Sequence, residues 1–397
     1  MNVRRPLKIG MVGTGFIARF HLTALQRVRD CEVVGVYSPS RAHRERAAAF
    51  ANQLAIGPCT PFESLERLLC TSGLDAVWLL VPNDVRIEIM QNVHALLLGG
   101  RASLTGVACE KPLARNVAEA SEMLRLAEEA GLQHAYLENQ IYAPAVSRGR
   151  ELLWKRAVPV AGRPYIVRAS EEHSGPHSPW FWRSSSQGGG ALIDMLCHAV
   201  EVGRYLLTEP GRGRDTLRPI AVTATTASLK WSRPEYLGQW RRNAGLSDGE
   251  PGEPAEDMAT GVLELQDPDG RRVFVEARTS WAYVGPGLRI QIEALGPEYS
   301  MAIDTLQTPL RLFLSREIAG ARGEEFVEKQ NAEQGLIPVV DDECETYGYV
   351  AENRDVVQAF LHARRPKLDF ADGLAVIELL MGFYRSAELG RRVVFSS

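Results

Sequence analysis

Asp194 and His198 stand four residues apart behind the run Gly188-Gly189-Gly190. That spacing puts a carboxylate and an imidazole on one face of a helix that starts after the glycines. Leu192, Ile193, Leu196 and Val200 surround them, so the helix is expected to be largely buried. An imidazole that titrates near neutrality can accept the proton of a hydroxyl group while a hydride leaves the same carbon. The plainer reading is an internal Asp-His hydrogen bond that fixes the helix. Lys111, in Cys109-Glu110-Lys111-Pro112, is a second candidate. An ammonium at the end of a short strand can donate to a substrate hydroxyl, and its pKa responds to nearby charge. Taken alone, a solvated surface lysine is the commoner outcome.

A third stretch, Glu171 to Arg183, holds His173, His177, Trp180, Trp182 and Arg183. The tryptophans offer flat faces on which a sugar ring can stack, and His173 and Arg183 offer hydrogen bonds to it. The alternative is aromatic packing under a loop. The carboxylates flanking these histidines have no recognised ligand spacing, so no metal is assigned.

These side chains need a scaffold, and its first element is Leu7 to Ala18. A short apolar run ends in Gly13-Thr14-Gly15-Phe16-Ile17-Ala18, and a helical pattern follows. Gly13 permits a tight turn, Gly15 keeps side-chain atoms away from a pyrophosphate, and Ala18 allows close helix-strand packing. The amides around Phe16 and Ile17 then face the phosphates. From Leu7 to about Glu138 strands alternate with helices, which predicts a doubly wound parallel sheet with ligands at the carboxyl ends of its strands.

The pattern changes near Tyr142. A helix over Ala191 to Leu207 is followed by strand-like runs at Ile220–Lys230, Met258–Leu265, Arg272–Trp281 and Leu288–Leu295. Hairpin or turn signals stand at Asp267–Gly270 and Gly285–Gly287. Successive strands without intervening helices predict an open, mainly antiparallel sheet of α+β type. The expected domains are therefore 1–140 and 141–397, with the C-terminal helices as candidates to pack back on the first. The polar segment 241–256 reads as a mobile loop or a lid.

The 397 residues carry a formal net charge of -4, which gives no electrostatic reason to expect nucleic acid or an anionic membrane as partner. No run approaches the roughly 18 apolar residues of a membrane helix. Six cysteines without a CxxC pair fit a reducing cytoplasm.

With these motifs in this order the chain resembles the Gfo/Idh/MocA oxidoreductases. The resemblance rests on Gly13, Gly15 and Ala18, Pro82-Asn83 after a buried strand, Glu110-Lys111-Pro112, the glycine run with Asp194 and His198, and Tyr384-Arg385-Ser386-Ala387 before Gly390-Arg391-Arg392-Val393. It implies a Rossmann domain, a substrate domain, and an NAD(P)-dependent hydride transfer at a secondary alcohol of a sugar, glycoside or cyclitol. His198 would be the base. Lys111 would hydrogen-bond the hydroxyl and position the nicotinamide, and Asp194 would bind a neighbouring hydroxyl or orient the base. It also implies a homodimer or homotetramer. Two other readings stay open: glycoside cleavage assisted by a tightly bound, recycled cofactor, and a non-catalytic dinucleotide sensor. Members usually have histidine where this chain has Arg86, and a shorter loop than Gly99 to Ala108 before the Glu-Lys-Pro triplet.

The second strand ends in Tyr37-Ser38-Pro39-Ser40-Arg41. A carboxylate about 20 residues beyond the glycine turn would favour NAD. Here the residues are two hydroxyls, Ser38 and Ser40, and the cation Arg41, so NADP is favoured. The alternative makes Ser40 a helix N-cap and leaves Arg41 in solvent.

Overall fold

In a computed structural model, the described residues are 5–315 and 324–395, and they form two compact units. The first comprises the chain up to Ala143 together with Tyr347–Ile377. The second comprises Pro144–Thr346 and the residues from Glu378 onward.

In the first unit β1 (Leu7–Val12), α1 (Phe16–Leu25), β2 (Cys31–Tyr37), α2 (Arg41–Gln53), β3 (Thr60–Phe62), α3 (Leu65–Leu69), β4 (Ala76–Leu79), α4 (Asn83–Leu98), β5 (Gly106–Glu110), α5 (Val117–Glu129) and β6 (Gln133–Leu137) alternate. The six strands are all parallel, in the order β3-β2-β1-β4-β5-β6. Every residue of β4 and β5 is buried, as expected of strands covered on both faces. Ser64 and Asn116 cap α3 and α5 by accepting from backbone amides. The order of connection reverses between β1 and β4, where such sheets open a crevice at their carboxyl ends. Gly13, Pro82-Asn83 and Glu110-Lys111 follow the carboxyl ends of β1, β4 and β5. The helix Tyr349–Leu361 completes this unit, and its Val356, Val357 and Phe360 join the core of β1, α1 and β4.

The second unit is built on a seven-stranded sheet. Its strands are β7 (Ile166–Glu172), β8 (Arg218–Ala227), β9 (Met258–Gln266), β10 (Arg272–Ser280), β11 (Arg289–Gly296), β12 (Tyr299–Asp304) and, near the C-terminus, β15 (Val393–Val394). A separate two-stranded sheet pairs β13 (Leu310–Leu314) with β14 (Gly335–Val339). The large sheet runs β12-β11-β7-β10-β9-β8-β15 and is antiparallel except for the β7/β10 pair. Along β10, Val273, Val275, Ala277 and Thr279 are buried and alternate with more exposed residues, so one face carries the core. The helix α6 (Cys197–Leu207) lies on that face, with Gly203 against Val275.

One turn signal stands as a hairpin, and two features differ from the sequence expectation. Asp267–Gly270 is a hairpin turn, with the Asp267 carboxylate accepting from the amides of Asp269 and Arg271 at 3.0 and 2.8 Å. Gly285–Gly287 is not, because β10 and β11 lie on either side of β7. The polar segment expected as a loop at 241–256 begins inside a helix, α7 (Pro234–Asn243), whose Trp240 is buried. The Arg241 guanidinium then ties that segment to itself through the carbonyls of Ser247 and Glu250 at 2.7 and 2.9 Å.

Candidate active site

The first turn of α1 is open. Gly13 has φ +103, and a Cβ there would lie 2.1 Å from the Leu80 carbonyl oxygen, so glycine is required for the chain to leave β1. A Cβ on Gly15, in contrast, would meet no atom within 4 Å, and no side chain caps the amides that follow. Backbone amides at the positive end of a helix dipole, without a side-chain cap and beside open space at Gly15, are what a pyrophosphate needs. Phe16 is exposed at this turn, whereas Ile17 packs on the core. Pro82 precedes α4 and Asn83 is its buried first residue.

Lys111 is half-buried, and its backbone is fixed from two sides. Trp78 Nε1 donates to Asn353 Oδ1 at 3.1 Å, which directs the Asn353 amide nitrogen to His21 Nδ1 at 3.0 Å. The remaining ring nitrogen, Nε2, then donates to Glu110 Oε1 at 3.0 Å, and Glu110 Oε2 accepts from the Lys111 amide at 2.9 Å. Burial pushes the Glu110 carboxyl up, but the His21 hydrogen bond and the charges of Lys111 and Arg86 outweigh it and hold it below the ordinary range. From the other side the buried Arg86 guanidinium donates to the carbonyls of Val81 at 3.1 Å, Glu110 at 2.7 Å, Lys111 at 3.3 Å and Pro112. Arg86 thus clamps the Glu-Lys-Pro segment, whose Lys111-Pro112 bond is cis. In the sequence Arg86 stands out only as a departure from the histidine usual in this position.

At the end of β2, Ser40 caps α2 by accepting from the His43 amide at 3.4 Å. Exposed Arg41 pairs with Glu45 at 2.7 Å, and Ser38 is buried with its carbonyl accepting from Arg44. The capping alternative therefore describes Ser40.

In the second unit Asp194 lies in a π-helical turn, Leu192–Leu196, that runs into α6. Single π-turns within α-helices are frequent at functional sites. Both Asp194 and His198 are buried. Asp194 Oδ2 accepts from Trp281 Nε1 at 3.1 Å, and His198 Nε2 faces Glu171 Oε2, on β7, at 3.6 Å. The glycines ahead of the turn serve packing. A Cβ on Gly190 would lie 2.1 Å from the Glu256 carbonyl oxygen, and Glu256 Oε1 accepts from the amides of Gly190 and Leu192 and from the Tyr384 hydroxyl at 2.8, 3.2 and 2.6 Å. Tyr384 and Ser386 of the C-terminal motif are structural, Ser386 receiving the Ala224 amide at 3.0 Å.

The stretch before the glycines is mostly scaffold, which corrects the expectation for three of its residues. Trp182 is buried edge-on against Trp231 and close to Trp281, so its faces are taken by protein. Arg183 donates to the carbonyls of Ala244 and Gly245 at 2.8 and 2.9 Å. His173 is buried and accepts from the Gly175 amide at 3.0 Å. Trp180 stacks on Phe181 with ring centroids 3.7 Å apart.

Two family profiles match the chain in succession. Residues 7–137 match the oxidoreductase family with NAD-binding Rossmann fold, and residues 160–298 match the GFO/IDH/MocA C-terminal domain. The chain belongs to the Gfo/Idh/MocA oxidoreductase family. This Gfo/Idh/MocA protein is 30% identical over 202 residues to the 1,5-anhydro-D-fructose reductase of Ensifer adhaerens, covering 50% of this chain and 56% of that one. It is 26% identical over 213 residues to the levoglucosan dehydrogenase of Pseudarthrobacter phenanthrenivorans, covering 51% and 52%. The chain spans about half the length of the curated relatives it matches. Among solved structures, GenD2 from gentamicin A biosynthesis in complex with NAD is similar over 100% of this chain and 98% of that one, with TM-score 0.78 and 25% identity. A levoglucosan dehydrogenase in complex with NADH and levoglucosan has the same fold at TM-score 0.73 and 19% identity, over 99% of this chain and 100% of that one.

Proposed function

We propose that the protein is an NAD(P)-dependent dehydrogenase that oxidises a secondary alcohol of a sugar, glycoside or cyclitol, or reduces the matching ketone. The observation that carries this reading is the buried set of Asp194, His198 and Glu171, ionisable side chains whose burial costs stability and which gather in this way at functional sites. Named relatives that act on anhydrofructose, xylose, levoglucosan and inositol support the substrate class.

The amides after Gly15 would hold the pyrophosphate, with Pro82, Asn83 and Glu110 nearer the nicotinamide. The bound cofactor supplies the hydride acceptor. His198 takes the hydroxyl proton as the hydride leaves. Lys111, fixed by Glu110 and Arg86, donates to the alcohol oxygen, and Asp194 binds a neighbouring hydroxyl. Trp180 is retained as a substrate contact, without Trp182, Arg183 and His173. The cofactor proposed is NADP, supported by the lack of an acid at 37–41 and by Arg41. Six free thiols support a reducing cytoplasm. Assembly as a homodimer or homotetramer is supported by the exposed outer face of the large sheet, where Arg168 pairs with Glu276 and Glu293.

The test follows reduced-nicotinamide absorbance with levoglucosan, D-xylose, 1,5-anhydro-D-fructose and myo-inositol, with each cofactor. His198→Asn and Lys111→Ala are each expected to lower kcat about 10²- to 10⁴-fold with little change in cofactor affinity. Equal activity of wild type and both variants overturns the assignment. Ser38→Asp is expected to move preference from NADP toward NAD, and unchanged preference would refute the NADP reading.

A further inference from the structure

The tryptophans of the second unit spend their indole N-H groups in two ways. Trp154, Trp182 and Trp231 donate to backbone carbonyls, those of Leu206 at 3.0 Å, Pro176 at 3.2 Å and Trp281 at 3.3 Å. Trp281 donates to a carboxylate instead, Asp194 Oδ2, at 3.1 Å. Both partners are buried. The dipeptide Glu256-Asp257 holds the two sides of this bond. Glu256 Oε1 accepts from the amides of Gly190 and Leu192, and the Glu256 carbonyl accepts from the Ala191 amide at 2.9 Å, which fixes the turn that carries Asp194. The Asp257 carbonyl accepts from the Trp281 amide at 2.7 Å, just beyond β10. The Asp257 carboxylate, itself fully buried, accepts from the amides of Leu229, Lys230 and Trp231 at 2.7, 2.7 and 3.0 Å.

We propose that Trp281 is a positioning residue, whose indole N-H aims the Asp194 carboxylate at a hydroxyl on the carbon next to the one that reacts. This deepens the reading of Asp194 as the ligand of a neighbouring hydroxyl and rests on it. A buried indole N-H needs an acceptor, and a backbone carbonyl satisfies that need in the three other cases. Glu256 and Asp257 likewise show how scaffold acids are treated in this unit, since backbone amides occupy both. The Asp194 Oδ2 atom takes a side-chain donor. The ring that supplies it is held in turn by packing, with the Trp182 ring 5.5 Å away between centroids and Trp231 in the same cluster.

An indole N-H only donates, so Trp281 holds Asp194 in the role of acceptor. The substrate group that meets Asp194 must then be a donor, which selects a vicinal diol over its deoxy, fluoro or O-methyl analogue. A site that loses such a hydroxyl is left with a buried acceptor unpaired, and discrimination of this kind is strong. Trp281 itself need not touch the sugar. Without its N-H the carboxylate loses a donor and can turn about its last side-chain bond, whose rotation is otherwise soft. That loss weakens substrate and transition state alike, so it should appear in KM and leave kcat nearly as it was.

The test uses whichever of levoglucosan, D-xylose, 1,5-anhydro-D-fructose or myo-inositol turns over fastest, together with its monodeoxy analogues. Trp281→Phe is expected to raise KM for the sugar about tenfold, with kcat changed by less than about threefold and KM for the cofactor unaltered. Benzothienylalanine placed at position 281 keeps the bicyclic ring and exchanges only N-H for sulfur, so it gives the same reading if Trp281→Phe folds poorly. Trp182→Phe is the control. It removes an indole from the same cluster, but one whose N-H serves the Pro176 carbonyl, and sugar KM should not move. In the wild type, one deoxy analogue should lose about 100-fold in kcat/KM, and in the position-281 variants that penalty alone should shrink to about tenfold. Unchanged sugar KM in both position-281 variants, an equal rise in Trp182→Phe, a fall in kcat as large as the rise in KM, or deoxy penalties that keep their wild-type pattern overturns the role of Trp281. If Asp194→Asn raises sugar KM while the position-281 variants do not, only that role falls. Wild-type KM in Asp194→Asn, or no turnover of any of the four sugars by the wild type, overturns the underlying reading and the proposal with it.

Discussion

The two glycine-rich turns use the same residue for opposite purposes. At Gly15 the missing side chain leaves space that no described residue enters within 4 Å, and no side chain caps the amides of α1. At Gly190 the missing side chain is replaced by protein, with Glu256 pressed against the backbone and accepting two amides and the Tyr384 hydroxyl. The first turn is built to receive a ligand and the second to lock a helix. A glycine motif alone does not separate the two cases, because the deciding quantity is what lies beyond the missing Cβ.

Substitutions that restore the Cβ should divide the turns sharply. The largest effect is expected from Gly190→Ala, whose new methyl would overlap the Glu256 carbonyl. A loss of about 3 kcal/mol in denaturant unfolding is expected, and a loss below about 1 kcal/mol would show that Glu256 gives way freely. Next comes Glu110→Gln, which tests the rigid backing of Lys111. The wild-type carboxyl is held below its ordinary value, so its stabilisation is complete above the unfolded-state pKa and is lost as pH falls through the folded-state pKa. The variant should be about 2 kcal/mol less stable at pH 7 and show a shallower decline in acid, read from unfolding midpoints across pH. The smallest effect belongs to Gly15→Ala. It should leave the melting temperature unchanged while dinucleotide affinity, measured by calorimetry, falls about tenfold, or 1.4 kcal/mol. Unchanged affinity would mean that the open turn is not the phosphate cradle.

Much of this was legible in the sequence because it is written locally. The apolar runs at Ile9–Val12 and Ala76–Leu79, the turn at Gly13 and the Asp194/His198 spacing each declare themselves within a few residues. What escaped is non-local. The β13 and β14 strands pair across about twenty intervening residues, and neither has a turn that announces the other. Glu171 was visible only as an acid near histidines, since its partner His198 lies on a different element. Arg86 looked like a substitution for histidine until the three consecutive carbonyls of Glu110, Lys111 and Pro112 appeared around it. The aromatic loop misled for a related reason. Flat faces suggest a sugar, but Trp182 has Trp231 and Trp281 as neighbours, and those are supplied by distant strands and loops.

The widened turn at Leu192–Leu196 has a bearing on how such a helix could arise. It holds one residue more than an ordinary turn needs, as inserting a single residue into a regular helix would produce. Deleting one residue there would let the helix relax to normal pitch, and everything upstream would rotate by about 100° relative to the imidazole. Asp194 would then swing away from the Trp281 indole. The acid and the imidazole would lose their present relation, although neither had been mutated.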